Sequence, residues 1–197
     1  TILPNHQGVG YFNFQNYQEA VDFAKECKTY ADKLGIDGFD IDEEYADYHN
    51  LPEKPTVGNK SFLWFMRAMK EVMPDKLLTL YDYNHNLSSD DVDEWGKSAK
   101  DYLDYSWANY FENHGSYAGL PNEKYGMYSI EANWGLNSSD WSAYYNLEGC
   151  YGLMMVFNIK GGDIKSGRAA TQLSKATERL YGENCVFQGK YHKGPKD

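Results

Sequence analysis

The sequence predicts an α/β fold of repeated βα units, closing as a (β/α)8 barrel. Three observations predict it. Short apolar runs of strand length alternate with amphipathic stretches of helical period. No hairpin signal joins consecutive strands, so neighbours are expected to pair in parallel. A dense acidic cluster falls at the carboxyl end of one strand, where barrels of this kind carry their function.

Taken in order, Ile2-Leu3 ends a first strand, and a helix is expected from about Tyr17 to Leu34. Ala20, Phe23, Ala24 and Cys27 recur along it at helical spacing. Leu34-Gly35-Ile36 reads as helix end, turn residue and strand start, opening a strand from Ile36 to about Asp42. A polar loop with Pro52 and Pro55 leads to a helix from Lys60 to about Met73, closed by Pro74. Leu77 to Tyr81 is the next strand, and a short helix is expected from Val92 to Ala99. Strands follow at Tyr105 to Tyr110, Gly126 to Ile130 and Gly152 to Phe157, with a helix near Asp140 to Leu147 before the last. Arg168 to Leu180 closes as a helix. No linker or low-complexity run divides the chain, so residues 1–197 are expected to form one domain.

Composition narrows the function classes. Hydrophobic content of 42% with 24% charged residues is that of an ordinary globular protein. A formal charge of −10, without a basic stripe, argues against nucleic acid or an anionic membrane surface as partner. No stretch approaches the roughly 20 apolar residues of a membrane span, so no membrane insertion is expected. The 18 Tyr and 5 Trp fill core and surface, and are also the side chains on which sugar rings stack. Cys27, Cys150 and Cys185 lack metal-ligand spacing and are expected to be buried free thiols, with a Cys150–Cys185 bridge as the alternative.

Asp37-Gly38-Phe39-Asp40-Ile41-Asp42-Glu43-Glu44 holds five acidic residues in eight positions. Asp40, Asp42 and Glu44 stand at i, i+2 and i+4, so on a strand they share one face. Like charges so placed repel, and at least one of these groups should keep its proton near neutral pH. A protonated acid beside an ionised one suits general-acid chemistry. An oxygen-rich cluster also suits calcium or magnesium, although neither metal nor cofactor is expected here. Glu43 points to the other face and is left out of the site, and Asp37 is assigned a structural role at the strand start.

The run resembles the D-G-x-D-x-D-x-E signature of family-18 glycoside hydrolases, with every acidic position filled. Tyr45-Ala46-Asp47-Tyr48 narrows the likeness to endo-β-N-acetylglucosaminidases of the Endo H and Endo F type. Asn5-His6-Gln7-Gly8, Met73-Pro74-Asp75-Lys76, Tyr151-Gly152 leading to Asn158, and Gly161-Gly162-Asp163 extend it along the chain in the family's order. Against that family the chain starts at what looks like the third strand. About six βα units are visible where a barrel has eight and roughly 250 residues. The expectation is therefore a fragment of a longer product, or association with a missing N-terminal fragment.

The resemblance implies substrate-assisted hydrolysis, in which the sugar's own acetamido oxygen attacks the anomeric carbon. Glu44 is then the general acid and later base, Asp42 holds the acetamido N–H, and Asp40 tunes Asp42 through a shared proton. Tyr110 corresponds to the family's tyrosine that contacts the acetamido oxygen; a core tyrosine is the alternative. Asn109 beside it is a candidate substrate contact, as is Tyr81 at the end of its strand. Asn5, His6 and Gln7 follow the first strand, where amides and an imidazole suit sugar hydroxyls. His6 lacks an acid/base partner in the pattern, so it is assigned to substrate contact or to an ordinary loop. Phe157 and Asn158 end the last strand, Phe157 as an apolar floor under a sugar ring or as core. The implied substrate is an N-linked glycan or glycoprotein, cut within its di-N-acetylchitobiose core. Chitin, or a non-catalytic carbohydrate-binding role, is the alternative. The resemblance also implies a secreted, periplasmic or cell-surface location.

Overall fold

The protein is described by a computed structural model covering residues 14–43, 59–82, 87–109, 115–127, 129–131 and 152–183. The elements are α1 (Tyr17–Leu34), β1 (Gly38–Ile41), α2 (Asn59–Val72), β2 (Leu77–Tyr81), β3 (Tyr105–Trp107), β4 (Tyr125–Gly126), β5 (Ser129–Glu131), β6 (Met155–Phe157), α3 (Gly161–Lys165) and α4 (Arg168–Tyr181). The predicted alternation of helix and strand holds from α1 to β2, and from β2 to β5 the described connections contain 3-10 turns and irregular chain in place of α-helices. Single 3-10 turns occupy Ala99–Asp101 and Asn122–Lys124. The chain divides into two compact units, one of Thr1–Tyr128 with Cys150–Met154, the other of Ser129–Gly149 with Met155–Asp197.

In the first unit, β1, β2, β3 and β4 form a parallel sheet in sequential order. The register sets Phe39 beside Leu78, Asp40 beside Thr79 and Ile41 beside Leu80. Side chains alternate along a strand, so Phe39, Ile41, Leu78 and Leu80 share one face and Asp40 and Thr79 the other. The apolar face meets the helices. Phe39, Ile41, Leu78 and Leu80 join Ala20, Ala24 and Ala31 of α1 and Phe62, Phe65, Met66 and Met69 of α2 in one buried core. Alanines on α1 let its backbone come close, while α2 supplies the bulk.

Helix α1 forms because its ends are specified. The Asn16 side chain accepts from Glu19 N at 3.1 Å, and the Glu19 carboxylate accepts from Gln15 N at 2.8 Å. At the other end Gly35 takes a left-handed φ of 65° and its N–H returns to the Ala31 carbonyl. The second glycine of this stretch answers to packing. A Cβ at Gly38 would lie 2.5 Å from Leu77 O and 2.6 Å from Leu77 Cβ, so β1 and β2 can pair here only without a side chain.

Several expectations need correction. No helix spans Val92 to Ala99. The buried Asp93 carboxylate accepts from Trp95 N and Lys97 N, both at 2.9 Å, and so diverts the backbone donors a helix would need. Gly96 completes the turn at φ 73°. The strand expected at Gly126 to Ile130 is two short strands, β4 and β5. The strands expected at Ile36 to Asp42, Tyr105 to Tyr110 and Gly152 to Phe157 shrink to Gly38–Ile41, Tyr105–Trp107 and Met155–Phe157. In the second unit β5 and β6 pair in parallel, with Glu131 beside Phe157. No helix among the described residues is long and apolar enough to cross a membrane. The strand at Ile2-Leu3, the helix at Asp140 to Leu147, and Cys150 and Cys185 lie outside the described residues. Cys27 is a free, half-buried thiol whose burial pushes it up to about 11.

Gly38→Ala should destabilise the protein by roughly 1–3 kcal/mol through overpacking against the Leu77 backbone. Gly35→Ala, which meets nothing within 4 Å, should cost about 1 kcal/mol through its φ alone. Urea denaturation of both variants checks this; a Gly38→Ala cost no larger than that of Gly35→Ala would refute the close-approach argument.

Candidate active site

The site begins with Asp40. Strand β1 is buried at all four positions, so the carboxylate on its non-helical face is 5% exposed. Thr79, its neighbour across the sheet, donates from Oγ1 to Asp40 Oδ1 at 2.8 Å. Burial raises the Asp40 pKa and the negative field of Asp42 adds to the rise, while the Thr79 bond opposes both; the net value is about 7. The predicted retention of a proton near neutral pH therefore falls on Asp40. Asp42 lies one residue beyond the strand, half-buried, because pairing with β2 stops at Ile41 beside Leu80. Glu44 lies outside the described residues, as do Tyr110, Asn5, His6 and Gln7.

The sheet brings further predicted residues to the same end. Tyr81 is the last residue of β2, half-buried, on the face that carries Thr79, with Trp107 beside it in register. Asn109, half-buried, stands two residues past the end of β3. In the second unit, half-buried Phe157 ends β6 and exposed Asn158 follows it at φ 59°.

Glu43 requires a correction of emphasis. Excluded from the site because it alternates away from Asp42, it is nevertheless 6% exposed, so the acidic run contains a second carboxylate withdrawn from water. Asp37, assigned to the strand start, makes its bond there through the backbone: its carbonyl accepts from Leu77 N at 2.9 Å.

Asp82 was missed by sequence reasoning. It follows β2 directly and is 1% exposed. Its Oδ2 accepts from Ser116 Oγ at 2.6 Å, Ala118 N at 3.3 Å and Ser106 Oγ at 3.4 Å, and its N–H donates to the Trp107 carbonyl at 2.8 Å. One carboxylate thus ties the ends of β2 and β3 to the segment at 116–118. The signal available was an acid directly after an apolar strand, which a solvated strand end shows equally well. Glu131 was missed for the same reason: it ends β5, is 8% exposed, and accepts from Asn158 Nδ2 at 2.7 Å.

Over 190 residues the chain is 29% identical to an endo-β-N-acetylglucosaminidase of Flavobacterium sp. (strain SK1022), an overlap of 95% of this chain and 58% of that protein. It is 28% identical over 194 residues to endo-β-N-acetylglucosaminidase F1 of Elizabethkingia meningoseptica, covering 95% of this chain and 56% of that one. The fold matches Bacteroides thetaiotamicron EndoBT-3987 in complex with Man9GlcNAc2Asn substrate, with a TM-score of 0.67, 27% identity, and coverage of 92% of this chain and 46% of that chain. In sequence and fold the chain is similar to these endo-β-N-acetylglucosaminidases. A second EndoBT-3987 structure, with Man5GlcNAc product, matches at a TM-score of 0.66, with 27% identity and coverage of 92% of this chain and 42% of that one. No family model matches. The chain spans a little over half the length of the curated relatives it matches. Those relatives are glycoside hydrolases, and the resemblance read from the acidic run is to the same group of enzymes.

Two consequences of the site are measurable. Asp40 binds its proton more tightly folded than unfolded, so its stabilising contribution is full below the unfolded value of 3.8 and is lost as pH rises through about 7. Asp40→Asn, which cannot ionise, should therefore gain stability relative to wild type between pH 4 and pH 8, as read by urea midpoints. A constant difference across that range would contradict the raised pKa. Asp82→Ala strands the Ala118 N–H and one of the Ser106 and Ser116 hydroxyls, which lie 3.2 Å apart and can pair with each other, and should cost about 2 kcal/mol or more. A loss below about 0.5 kcal/mol in the same assay would mean that water or another acceptor replaces the carboxylate.

Proposed function

We propose that this chain carries the catalytic centre of an endo-β-N-acetylglucosaminidase that hydrolyses the β1,4 bond in the di-N-acetylchitobiose core of N-linked glycans. The observation that carries the proposal is Asp40: a carboxylate buried at the carboxyl end of a parallel strand, shifted to about 7 and coupled to Asp42. Similarity to two curated endo-β-N-acetylglucosaminidases, and to a solved one holding Man9GlcNAc2Asn, supports it.

In this proposal the chain belongs with the family-18 glycoside hydrolases and works by substrate assistance. Such enzymes stand apart from the two-carboxylate glycosidases. The acetamido oxygen of the sugar attacks the anomeric carbon as Glu44 protonates the leaving oxygen, giving an oxazolinium ion. Asp42 orients the acetamido N–H and offsets the developing positive charge. Asp40 shares a proton with Asp42, and the two titrate as a coupled set. Tyr110 hydrogen-bonds the acetamido oxygen, and Glu44 then draws a proton from water to open the oxazolinium ring with net retention. Tyr81, Asn109, Phe157, Asn158 and the Asn5-His6-Gln7 segment contact the glycan.

The same proposal places residues 1–197 in one (β/α)8 catalytic domain whose first two βα units are not in this chain. Support comes from the sequential order of the parallel strands β1 to β4, since doubly wound sheets reverse their order at a switch point. Function outside the cytoplasm, in the periplasm, at the cell surface or in the medium, belongs to the proposal as well.

Mass spectrometry of a high-mannose glycopeptide tests it. Wild type should release the glycan and leave one N-acetylglucosamine on the peptide. Glu44→Gln should remain folded and lose activity at least about hundredfold, and Asp42→Asn should lose somewhat less. A chelator should have no effect; loss of activity on adding one would favour a metal at the acidic cluster instead. Absence of cleavage by well-folded wild type would overturn the proposal.

A further inference from the structure

The turn between β2 and β3 presents an indole that neither the core nor the chemistry above uses. Trp95 is 46% exposed. Its backbone is nonetheless held closely. Trp95 N donates to the buried Asp93 carboxylate at 2.9 Å, and Gly96 N donates to Asp93 O at 3.0 Å. Glu94, just before it, accepts from Trp64 Nε1 at 2.7 Å. An aromatic ring fixed in this way keeps apolar area in water and loses little freedom when something covers it.

Only one face of that ring is occupied. The Arg67 guanidinium lies 3.9 Å from its centroid, and the Tyr17 ring lies 5.0 Å away, tilted by 60°. The same guanidinium is 5.8 Å from the Tyr17 centroid, too close for the two to stand on opposite faces of the indole. Arg67 and Tyr17 therefore leave the second face bare, which agrees with the exposure. At the ring's rim, Trp95 Nε1–H has no acceptor among the described residues. Arg67 and Tyr17 belong to α2 and α1, so the indole stands on the helical side of the sheet, away from the face that carries Asp40.

We propose that Trp95 is a second carbohydrate contact, separate from the acidic cluster, for a chain of β-linked pyranoses with equatorial substituents. Such a ring turns its axial C–H bonds outward as a flat apolar face and keeps its hydroxyls at the rim. Stacked on the bare face of the indole, it covers apolar area on both partners. A rim hydroxyl accepts from Trp95 Nε1–H, which an aliphatic or aromatic partner would leave unmatched. A cationic ligand fits poorly, because the Arg67 guanidinium already draws on the ring's π density. An anionic one meets a chain of formal charge −10. The site holds carbohydrate without cutting it and does not depend on the glycosidase proposal.

The test is a proton–nitrogen correlation spectrum of the 5 Trp indole N–H groups, with Trp95 assigned by the signal lost in Trp95→Phe. Cellotriose and N,N′,N″-triacetylchitotriose are titrated in turn through the millimolar range. The Trp95 signal should shift and saturate with at least one of them. D-Glucitol, an open chain of hydroxyls without a flat face, should leave it in place. By isothermal titration, Trp95→Ala should bind the same sugar at least about tenfold more weakly. A Trp95 signal that neither sugar moves overturns the site, as does an equal shift with glucitol. A folded Trp95→Ala that keeps wild-type affinity overturns it too. If that variant does not fold, the wild-type spectrum decides alone. Cellotriose carries no acetamido group, so its binding at Trp95 is read independently of glycopeptide cleavage. Absence of cleavage by folded wild type then removes the glycosidase proposal and leaves this one standing.

Discussion

The alternation of side chains along β1 is the constraint on which the first unit depends. Four residues must deliver Phe39 and Ile41 to the helical core and Asp40 to the opposite face, and all four are buried. The face opposite the core is withdrawn from water as well, since Asp40 is 5% exposed. The hydrophobic packing of α1 and α2 against β1 and β2 therefore holds the Asp40 carboxylate in its low-dielectric place. Burial is the largest cause of its shift, ahead of Asp42. Core and chemistry are two faces of one strand.

Aspartates hold the loops around that sheet, Asp82 and Asp93 buried and Asp104 half-buried. Asp82 gathers Ser106, Ser116 and Ala118 at the carboxyl ends of β2 and β3. Asp104 works ahead of β3, where its Oδ2 accepts from Leu78 N at 2.8 Å and from Lys70 Nζ at 2.9 Å, joining β2 to α2. Asp93 organises the turn before the 3-10 segment and accepts from the Tyr102 hydroxyl, with Arg67 Nη1 3.7 Å away. The Arg67 guanidinium lies 3.9 Å from the Trp95 ring centroid and pairs with Glu71 at 2.7 Å, so the turn is fastened to the outer side of α2. In each case a carboxylate takes backbone or hydroxyl donors that irregular chain would otherwise bury unmatched.

Which parts were legible follows from the length scale of the forces. Helix α1 and strand β2 could be read almost to the residue, because the spacing of Ala20, Phe23, Ala24 and Cys27 and the turn at Gly35 are local signals and Leu77 to Tyr81 is a largely apolar run. A retained proton somewhere among Asp40, Asp42 and Glu44 was legible from like charges on one strand face, but its place on Asp40 was not, because burial is the larger cause. The turn at Asp93 was not. Val92 to Ala99 carries helix-compatible spacing, and what defeats the helix is a side chain bonding two residues and four residues ahead. Asp82 and Glu131 were illegible for a different reason. An acid after a strand is solvated or buried according to what packs over it, and Ser116 and Asn158 are 34 and 27 residues away in sequence. Gly38 was visible as a motif residue, but its cause, the Leu77 backbone, belongs to the neighbouring strand.

Placing Asp40 near 7 has a consequence that burial alone would not give. A carboxylate buried without a donor stays protonated at neutral pH, and one in water stays ionised; neither can exchange a proton with its neighbour at small cost. Thr79 sets the balance between these limits, since its hydroxyl stabilises the ionised form that burial penalises. Near neutrality the proton can then reside on Asp40 or leave it with little free-energy difference. Stability decreases as Asp40 ionises, so the fold holds this balance against its own interest. The packing of Phe39 and Ile41 with residues of α1, α2 and β2 in one core offsets that cost.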